Sequence, residues 1–200
     1  MKARTRTMSM LAAGLFAAGC GGGSQEAEAP AEPVVDPVFS EDEGEDEASE
    51  APRTATAVLE PRSGSDVSGT ISFTEEDGGV RVSGEIHGLE PGPRGFHVHE
   101  HGDCSAEDAM SAGGHFNPKD VPHGAPSEGE HHIGDMGNVL VDEDGVARLD
   151  EHFEFLSLEE GAQNSILGRA VIVHAEEDDL VTQPTGDAGA RLGCGVIIAD

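Results

Sequence analysis

The sequence predicts an all-β domain, a sandwich or barrel of about eight strands, between Thr54 and Asp200. Apolar and polar residues alternate there in short runs, as in "TISFTE" at 70–75, which is the two-residue period of a half-buried strand. Glycine, proline and aspartate separate the runs, and almost no stretch has the 3.6-residue period of a helix.

Eight segments have this alternating pattern, and each is expected to form one strand. In chain order they are TATAVLE (54–60), VSGTISFTE (67–75), GVRVSGEIHGL (79–89), RGFHVHEH (94–101), GNVLVDEDG (137–145), VARLDEHFEF (146–155), GRAVIVHAE (168–176) and LGCGVIIAD (192–200). Hairpin turns are expected at Glu75–Gly79 and Asp142–Gly145, where acidic residues and glycine interrupt the pattern.

A long segment, Gly102–Met136, lies between the fourth and fifth predicted strands and is rich in glycine, histidine and proline. Loops of this length are uncommon unless they are functional or disordered. Because it contains Cys104 and four histidines, a functional role is favoured.

The N-terminal segment is typical of an exported protein. Three basic residues in "MKARTR" precede the short apolar run "MSMLAAGLFAAG", which is too short to span a bilayer but suits a signal peptide at 1–19. Small residues before Cys20 resemble the lipobox of bacterial lipoproteins, so lipidation of Cys20 and a membrane anchor are expected. An ordinary signal peptide cleaved nearby is the alternative, and either one predicts export to the periplasm or the cell surface.

Residues 20–53 are predicted to be a disordered acidic linker after the lipidated cysteine. Proline, alanine and glutamate dominate the segment, and an acidic block occupies Glu41–Glu47. Low hydrophobicity combined with charge of one sign disfavours a packed core. The domain proper is therefore expected at 54–200.

Charge and cysteine content limit the possible partners. The formal charge is −29, from 11 basic and 40 acidic residues, so electrostatic binding to nucleic acid is not expected. If Cys20 carries lipid, Cys104 and Cys194 remain as a pair that an oxidising compartment would allow to join.

His97, His99 and His101 recur at every second position in "GFHVHEHGDC". In a strand, residues two apart project from the same face, so His97 and His99 would present two imidazoles to one place. Such a pair is either half of a metal site or part of a solvated face. His101 would share that face if the strand continued.

The remaining motifs favour the metal site. They are "SAGGHFNP" at 111–118, "VPHGAPSEGEHHIGDMGN" at 121–138, "GRAVIVHAEEDD" at 168–179 and "ARLGCG" at 190–195. Together with "FHVHEHGDC", and in this order, they resemble the copper/zinc superoxide dismutases over 54–200. The resemblance implies an eight-stranded antiparallel Greek-key barrel with long metal-binding loops.

The resemblance also implies two metal cofactors, copper and zinc. The copper ligands it implies are His97, His99, His115 and His174. The zinc ligands it implies are His115, His123, His132 and Asp135, so that His115 bridges both ions. Imidazole suits both metals, and three imidazoles with one carboxylate are typical of a closed structural zinc site.

Further roles follow from the same resemblance. Asp178 corresponds to a carboxylate that links a copper ligand to a zinc ligand, and Cys104–Cys194 corresponds to an intrasubunit disulfide. Arg191 is expected to guide and dock superoxide, and His115 to donate a proton during dismutation to dioxygen and hydrogen peroxide. A homodimer is possible.

Alternatives remain open at this point. A non-enzymatic copper/zinc-binding envelope lipoprotein would need the same histidines, whereas a degenerate structural module would have lost ligands. Only the spacing H-x-x-D selects His132 rather than His131 as a ligand. No ligand role is assigned to four histidines: His87, His101, His131 and His152.

Overall fold

The structure is a computed structural model that describes residues 51–76 and 78–200. The signal peptide (1–19), the lipidation site Cys20 and nearly all of the linker (20–53) lie outside the described residues, so they stay predictions. Within the described part of the chain, no helix is long and apolar enough to cross a lipid bilayer.

The described residues form nine strands and one short 3-10 helix, Met110–Ala112. The strands are β1 (Thr54–Pro61), β2 (Ser68–Glu76), β3 (Gly79–His87), β4 (Gly92–His99), β5 (Asp135–Val141), β6 (Val146–Phe153), β7 (Ala170–His174), β8 (Arg191–Val196) and β9 (Ile198–Ala199). Strands β1 to β8 correspond to the eight predicted segments, which confirms the all-β class. The last segment is divided at Ile197, whose main-chain groups pair with Gly168 and Arg169.

The strands close into an antiparallel barrel. Around the barrel the order is β1, β2, β3, β6, β5, β4, β7 and β8, and β8 pairs with β1 to complete the circle. The short β9 adds to β1 through the pair Ala55↔Ala199. Because β5 and β6 lie between β3 and β4, the β3–β4 connection crosses over two strands, as in a Greek key.

The core fills the barrel with the inward-facing residue of each alternating pair. In β1 the buried residues are Ala55, Ala57 and Leu59, and the neighbouring β2 contributes Ile71 and Phe73. These residues are at most 2 % exposed. Because the protein has no tryptophan or tyrosine, phenylalanine is the only large aromatic residue available to the core. The two-residue period that predicted the strands is therefore the period of core burial.

Strand β4 differs from this pattern because both of its faces are buried. Phe96 and Val98 face the core, whereas His97 and His99 face outward and yet are fully buried. Contacts from the connections 100–134 and 175–190 cover that outer face, as the bonds from His99 to Gly113 and from His97 to Asp178 show. The loops therefore enclose the part of the barrel where the histidines lie.

A disulfide fixes the first of these connections to the barrel. Cys104 is bonded to Cys194 of β8, 90 residues away in sequence, which confirms the predicted pair. The Arg62 Nε also donates to the Cys104 carbonyl at 2.8 Å. Closing a loop of this length stabilises a fold by about 4–5 kcal/mol in the chain-entropy model.

Three main-chain hydrogen bonds join β4 to two points of the long connection in a closed ring. Val98 N–H donates to the Gly134 carbonyl (2.9 Å), Gly134 N–H to the Phe116 carbonyl (2.8 Å), and Phe116 N–H to the Val98 carbonyl (2.9 Å). We call Val98, Phe116 and Gly134 the main-chain hub. Four of the six residues that flank its members are predicted ligands: His97, His99, His115 and Asp135.

Replacing Gly134 with alanine is expected to lower the free energy of unfolding by about 2–3 kcal/mol, as overpacking does elsewhere. The added Cβ would overlap the Val98 carbonyl oxygen and lie 2.8 Å from the Phe116 nitrogen. Both are main-chain atoms of the hub, so neither can withdraw without breaking a hub hydrogen bond. Urea unfolding would show the loss as a lower midpoint.

Gly114→Ala is the matched control. A Cβ at Gly114 would meet no heavy atom within 4 Å, although this residue also adjoins His115. Its free energy of unfolding is expected to stay within about 0.5 kcal/mol of the parent value. Equal midpoints for the two variants would contradict the importance of the hub.

Candidate metal centre

The pleat of β4 places His97 and His99 on one side of the strand. Their ring centroids lie 6.5 Å apart. Strand β7 pairs with β4 and ends at His174, whose Nε2 lies 3.4 Å from the Nε2 of His99. Two adjacent strands therefore supply three imidazoles to one place.

The main-chain hub adds a fourth imidazole, that of His115. This residue forms an isolated β-bridge with His99, and its ring centroid lies 4.0 Å from that of His97. One ring nitrogen from each of four histidines lies within 4.8 Å of the others, and all four residues are buried. We call this set the four-histidine cluster: His97, His99, His115 and His174.

A second cluster shares His115. The Oδ1 atom of Asp135 lies 2.7 Å from the Nδ1 of His115, 3.0 Å from the Nδ1 of His123 and 3.2 Å from the Nδ1 of His132. The Oδ2 atom of Asp135 accepts hydrogen bonds from the main-chain N–H groups of Gly124 and His132. We call this set the mixed cluster: His115, His123, His132 and Asp135.

Asp178 links the two clusters through one histidine of each. Its Oδ2 lies 2.7 Å from the Nε2 of His97, and its Oδ1 lies 3.0 Å from the Nε2 of His123. Both carboxylate oxygens therefore fix ring nitrogens that point away from the cluster centres. This geometry orients the Nδ1 atoms of both rings inward.

Main-chain carbonyl groups fix the two remaining rings of the four-histidine cluster. The Nδ1 of His99 lies 3.0 Å from the Gly113 carbonyl oxygen, and the Nδ1 of His174 lies 3.4 Å from that of Gly189. Each ring donates through Nδ1–H to its carbonyl, which leaves the Nε2 lone pair directed toward the cluster.

Four buried nitrogen atoms of the described residues make no well-aligned hydrogen bond, although two of them, the Nδ1 atoms of His123 and His132, lie 3.0 and 3.2 Å from Asp135 Oδ1. They are His97 Nδ1, His115 Nε2, His123 Nδ1 and His132 Nδ1. A buried polar atom without a partner is costly, and here each one points into a cluster. The donors fit metal ions: four imidazoles suit copper, and three imidazoles with a carboxylate suit zinc.

Burial keeps the four-histidine cluster uncharged. It lowers the pKa of His115 to about 4, lowers the pKa of His97, and holds the pKa values of His99 and His174 well below the ordinary range. At neutral pH these rings are therefore neutral and offer a lone pair without first losing a proton.

The mixed cluster contains charge. Burial acts to lower the pKa of His123, but its contacts with Asp135 and Asp178 outweigh burial and raise that pKa to about 9. Burial acts to raise the pKa values of both carboxyls, yet the surrounding histidines hold them well below the usual range. Two ionised carboxylates therefore lie inside the protein.

Arg191 begins β8 and lies beside the four-histidine cluster. Its Nη1 donates to the Ala109 carbonyl (2.8 Å) and its Nη2 to the Gly113 carbonyl (2.7 Å). Gly113 is the residue whose carbonyl also accepts from His99. Partial burial lowers the pKa of the guanidinium, which remains charged at any physiological pH.

The four histidines without an assigned role lie outside both clusters. Strand β4 ends at His99, so His101 does not share its face and is exposed beside Glu100. The ring of His131 packs on Phe155, 4.5 Å between centroids, while His132 enters the mixed cluster. His87 and His152 are exposed on β3 and β6.

Sequence reasoning missed two side-chain amides that hold this site together. Asn138 forms a reciprocal pair with the Asp178 main chain, donating to its carbonyl (2.9 Å) and accepting from its N–H (2.8 Å). Gln183 does the same with the main chain of His123. An amide side chain does not by itself indicate a metal site. The only cues were that Asn138 ends the motif "HHIGDMGN" and that Gln183 lies four residues after "HAEEDD".

Comparison with known proteins agrees with this geometry. The family model described as copper/zinc superoxide dismutase (SODC) matches residues 67–197. An extracellular superoxide dismutase (Cu-Zn) of Brugia pahangi is 41% identical over 156 residues, 72% of this chain and 75% of that protein. The crystal structure of the clock protein EA4 covers 74% of this chain and 94% of its own, with 43% identity and a TM-score of 0.66. The chain belongs to the copper/zinc superoxide dismutase family.

Proposed function

We propose that this protein converts two superoxide anions and two protons into dioxygen and hydrogen peroxide at a histidine-bridged copper/zinc site. The four-histidine cluster would hold copper, and the mixed cluster would hold zinc. His115 carries the proposal, because its Nδ1 faces Asp135 in one cluster while its Nε2, without a partner, faces the other.

The two ions divide the chemistry. Copper, when bound, supplies a one-electron redox couple, and zinc supplies a fixed positive charge that holds an imidazole in place. The protein supplies the orientation: Asp178 fixes His97 and His123 through their outer nitrogens, and Asp135 fixes His115.

His115 is the residue best placed to handle a proton. With Nδ1 fixed 2.7 Å from Asp135, the ring keeps its orientation while Nε2 remains available to hold a proton. Because this Nε2 is buried and has no hydrogen-bond partner among the described residues, it is the atom that would hold a proton and pass it to the leaving peroxide.

Arg191 would guide and dock the anionic substrate. From residue 53 onward the chain has 8 basic and 29 acidic residues, a net charge of 8 − 29 = −21. At physiological ionic strength, exposed charges farther than about 8 Å are largely screened, so the nearby guanidinium decides the local field. Two carbonyl groups hold that guanidinium at the cluster's edge.

The proposal also includes a location. The signal peptide at 1–19 and the lipobox at Cys20 would export the protein and anchor it to a membrane, in the periplasm or at the cell surface. The Brugia pahangi relative is an extracellular superoxide dismutase, which supports export of this protein. A homodimer stays a prediction.

Superoxide consumption by the purified protein, with metal analysis of the same sample, tests the activity directly. Rapid consumption by a protein that contains about one copper and one zinc per chain is expected. Full copper loading without consumption would instead favour the alternative, a non-enzymatic copper/zinc-binding envelope lipoprotein.

Arg191→Glu is expected to lower kcat/KM for superoxide by about tenfold to a hundredfold, because it replaces the docking cation with a charge that repels the substrate. Salt screens that repulsion, so kcat/KM of the variant should rise with ionic strength, whereas that of the parent should fall. Pulse-generated superoxide decay at several salt concentrations would measure both.

Arg148→Glu is the control, since it changes net charge equally on the outer face of β6, where Arg148 pairs with Glu85 and Asp142. Its kcat/KM should stay within about twofold of the parent because distant exposed charges are screened. An unchanged rate in Arg191→Glu, or equal losses in both variants, would refute the docking role.

Zinc binding to the metal-free protein at pH 7.5 is expected to release about one proton per chain. The pKa of His123 is raised to about 9, so the ring is mostly protonated at pH 7.5 and must lose that proton to bind the ion. Zinc affinity should therefore increase with pH up to about 9. Calorimetry in two buffers of different ionisation enthalpy counts the protons.

Asp178→Asn provides the comparison for this measurement. It removes one of the two carboxylates that raise the pKa of His123, so fewer protons should be released at pH 7.5. Binding heats that do not depend on the buffer in the parent protein would contradict the expected protonation of His123.

A further inference from the structure

His123 lies outside the main-chain hub. It belongs to the irregular segment 121–125. Among the described residues, its main-chain N–H and carbonyl groups form no hydrogen bond with another main-chain group. By contrast, His97, His99, His115 and Asp135 each adjoin a member of the hub. The position of His123 must therefore be fixed in another way.

The side-chain amide of Gln183 forms the two hydrogen bonds with His123 that the main chain of a neighbouring strand would otherwise form. The main-chain N–H of His123 donates to Gln183 Oε1 at 2.8 Å, and Gln183 Nε2 donates to the His123 carbonyl at 2.8 Å. This two-point pairing fixes both translation and rotation of the His123 main chain. The same Nε2 also donates to the Val181 carbonyl at 3.1 Å, which holds the amide itself in position.

The imidazole of His123 needs this precision because it is placed between two carboxylates. Its Nδ1 lies 3.0 Å from Asp135 Oδ1 and its Nε2 lies 3.0 Å from Asp178 Oδ1. A small rotation of the main chain would move both contacts at once. A metal ligand held by outer contacts of this kind typically loses much of its affinity when they are removed.

The connection that carries Gln183 also covers the His123–Asp178 pair. A Cβ at Gly186 would overlap Asp178 Oδ1 and lie 2.7 Å from His123 Nε2, so only glycine allows this approach. The connection then continues to Arg191 at the start of β8. Gln183 and Gly186 thus hold this connection against His123 from two sides.

We propose that Gln183 is a positioning residue for the zinc ion, acting through the main chain of His123. The inference rests on the proposed assignment of zinc to the mixed cluster. It predicts that loss of the amide weakens retention of zinc specifically. A residue that merely stabilised the loop would affect both metals and the unfolding midpoint alike.

The test compares the metal-loaded parent protein with Gln183→Met, which keeps the length of the side chain and removes both hydrogen bonds. Each protein is mixed with excess pyridylazo-resorcinol, and the rate of zinc release is followed by absorbance. Release about tenfold faster from the variant is expected. Copper release to a copper chelator should change by less than about twofold, and the unfolding midpoint of the metal-free protein should not move.

Val181→Ala is the matched control, because Val181 lies on the same connection with its side chain 73% exposed. Its zinc release should equal that of the parent. If Gln183→Met does not fold, Gln183→Glu replaces it, since a carboxylate still accepts from the His123 N–H but cannot donate to its carbonyl.

Unchanged zinc release in the Gln183 variant would overturn the inference, as would equal acceleration of both metals or the same effect in the Val181 control. Failure of the parent protein to bind zinc at all would instead refute the proposed zinc site, and this inference with it. The stoichiometry of the parent, measured first, separates these two results.

Discussion

The main-chain hub is the constraint on which the metal centre depends. Val98, Phe116 and Gly134 are far apart in sequence, yet their three hydrogen bonds form a closed ring. Val98 also packs its side chain into the barrel core, so the ring is anchored to the close-packed interior. Because the ring uses only main-chain atoms, it fixes the chain positions of four proposed ligands independently of their side-chain contacts. The pleat of β4 then directs His97 and His99 to the same side.

Charge is the second constraint. Asp135 and Asp178 lie fully buried, and the histidines around them keep both ionised. Two carboxylates inside a protein are costly unless positive charge compensates them. Without metal, the raised pKa of His123 supplies a single proton for that purpose. The carboxylates that orient the imidazoles therefore also favour the binding of cations. One arrangement thus both positions the side chains of the site and favours metal binding there.

Short apolar runs separated by glycine, proline and aspartate were sufficient to predict all eight barrel strands. In β1 and β2 burial follows the two-residue period of the sequence, whereas β7 is buried along its whole length. The members of the two clusters could be predicted because motifs such as "GGHFNP" contain them at a characteristic spacing; that they bind metal stays a proposal. The roles of Asn138 and Gln183 could not be predicted, because their amides pair with main-chain atoms 40 and 60 residues away. Nothing in the sequence distinguishes these two amides from other polar side chains. The end of β4 at His99 was also unpredictable: the pattern continues to His101, but the N–H groups of Glu100 and His101 donate to the carbonyls of Gly114 and Ala112 instead of to a barrel strand.

The acidity of the domain and the anionic charge of its proposed substrate are compatible because of how the long connection is attached. The disulfide joins Cys104 to β8, the strand that begins with Arg191. The same connection supplies the two carbonyl groups that hold the guanidinium, and the Gly113 carbonyl also accepts from His99. Arg191, the proposed docking cation, and His99 therefore both donate to the same carbonyl oxygen, which keeps the guanidinium close to the four-histidine cluster. Position near the reacting centre, rather than the net charge of the domain, then determines what the anion encounters.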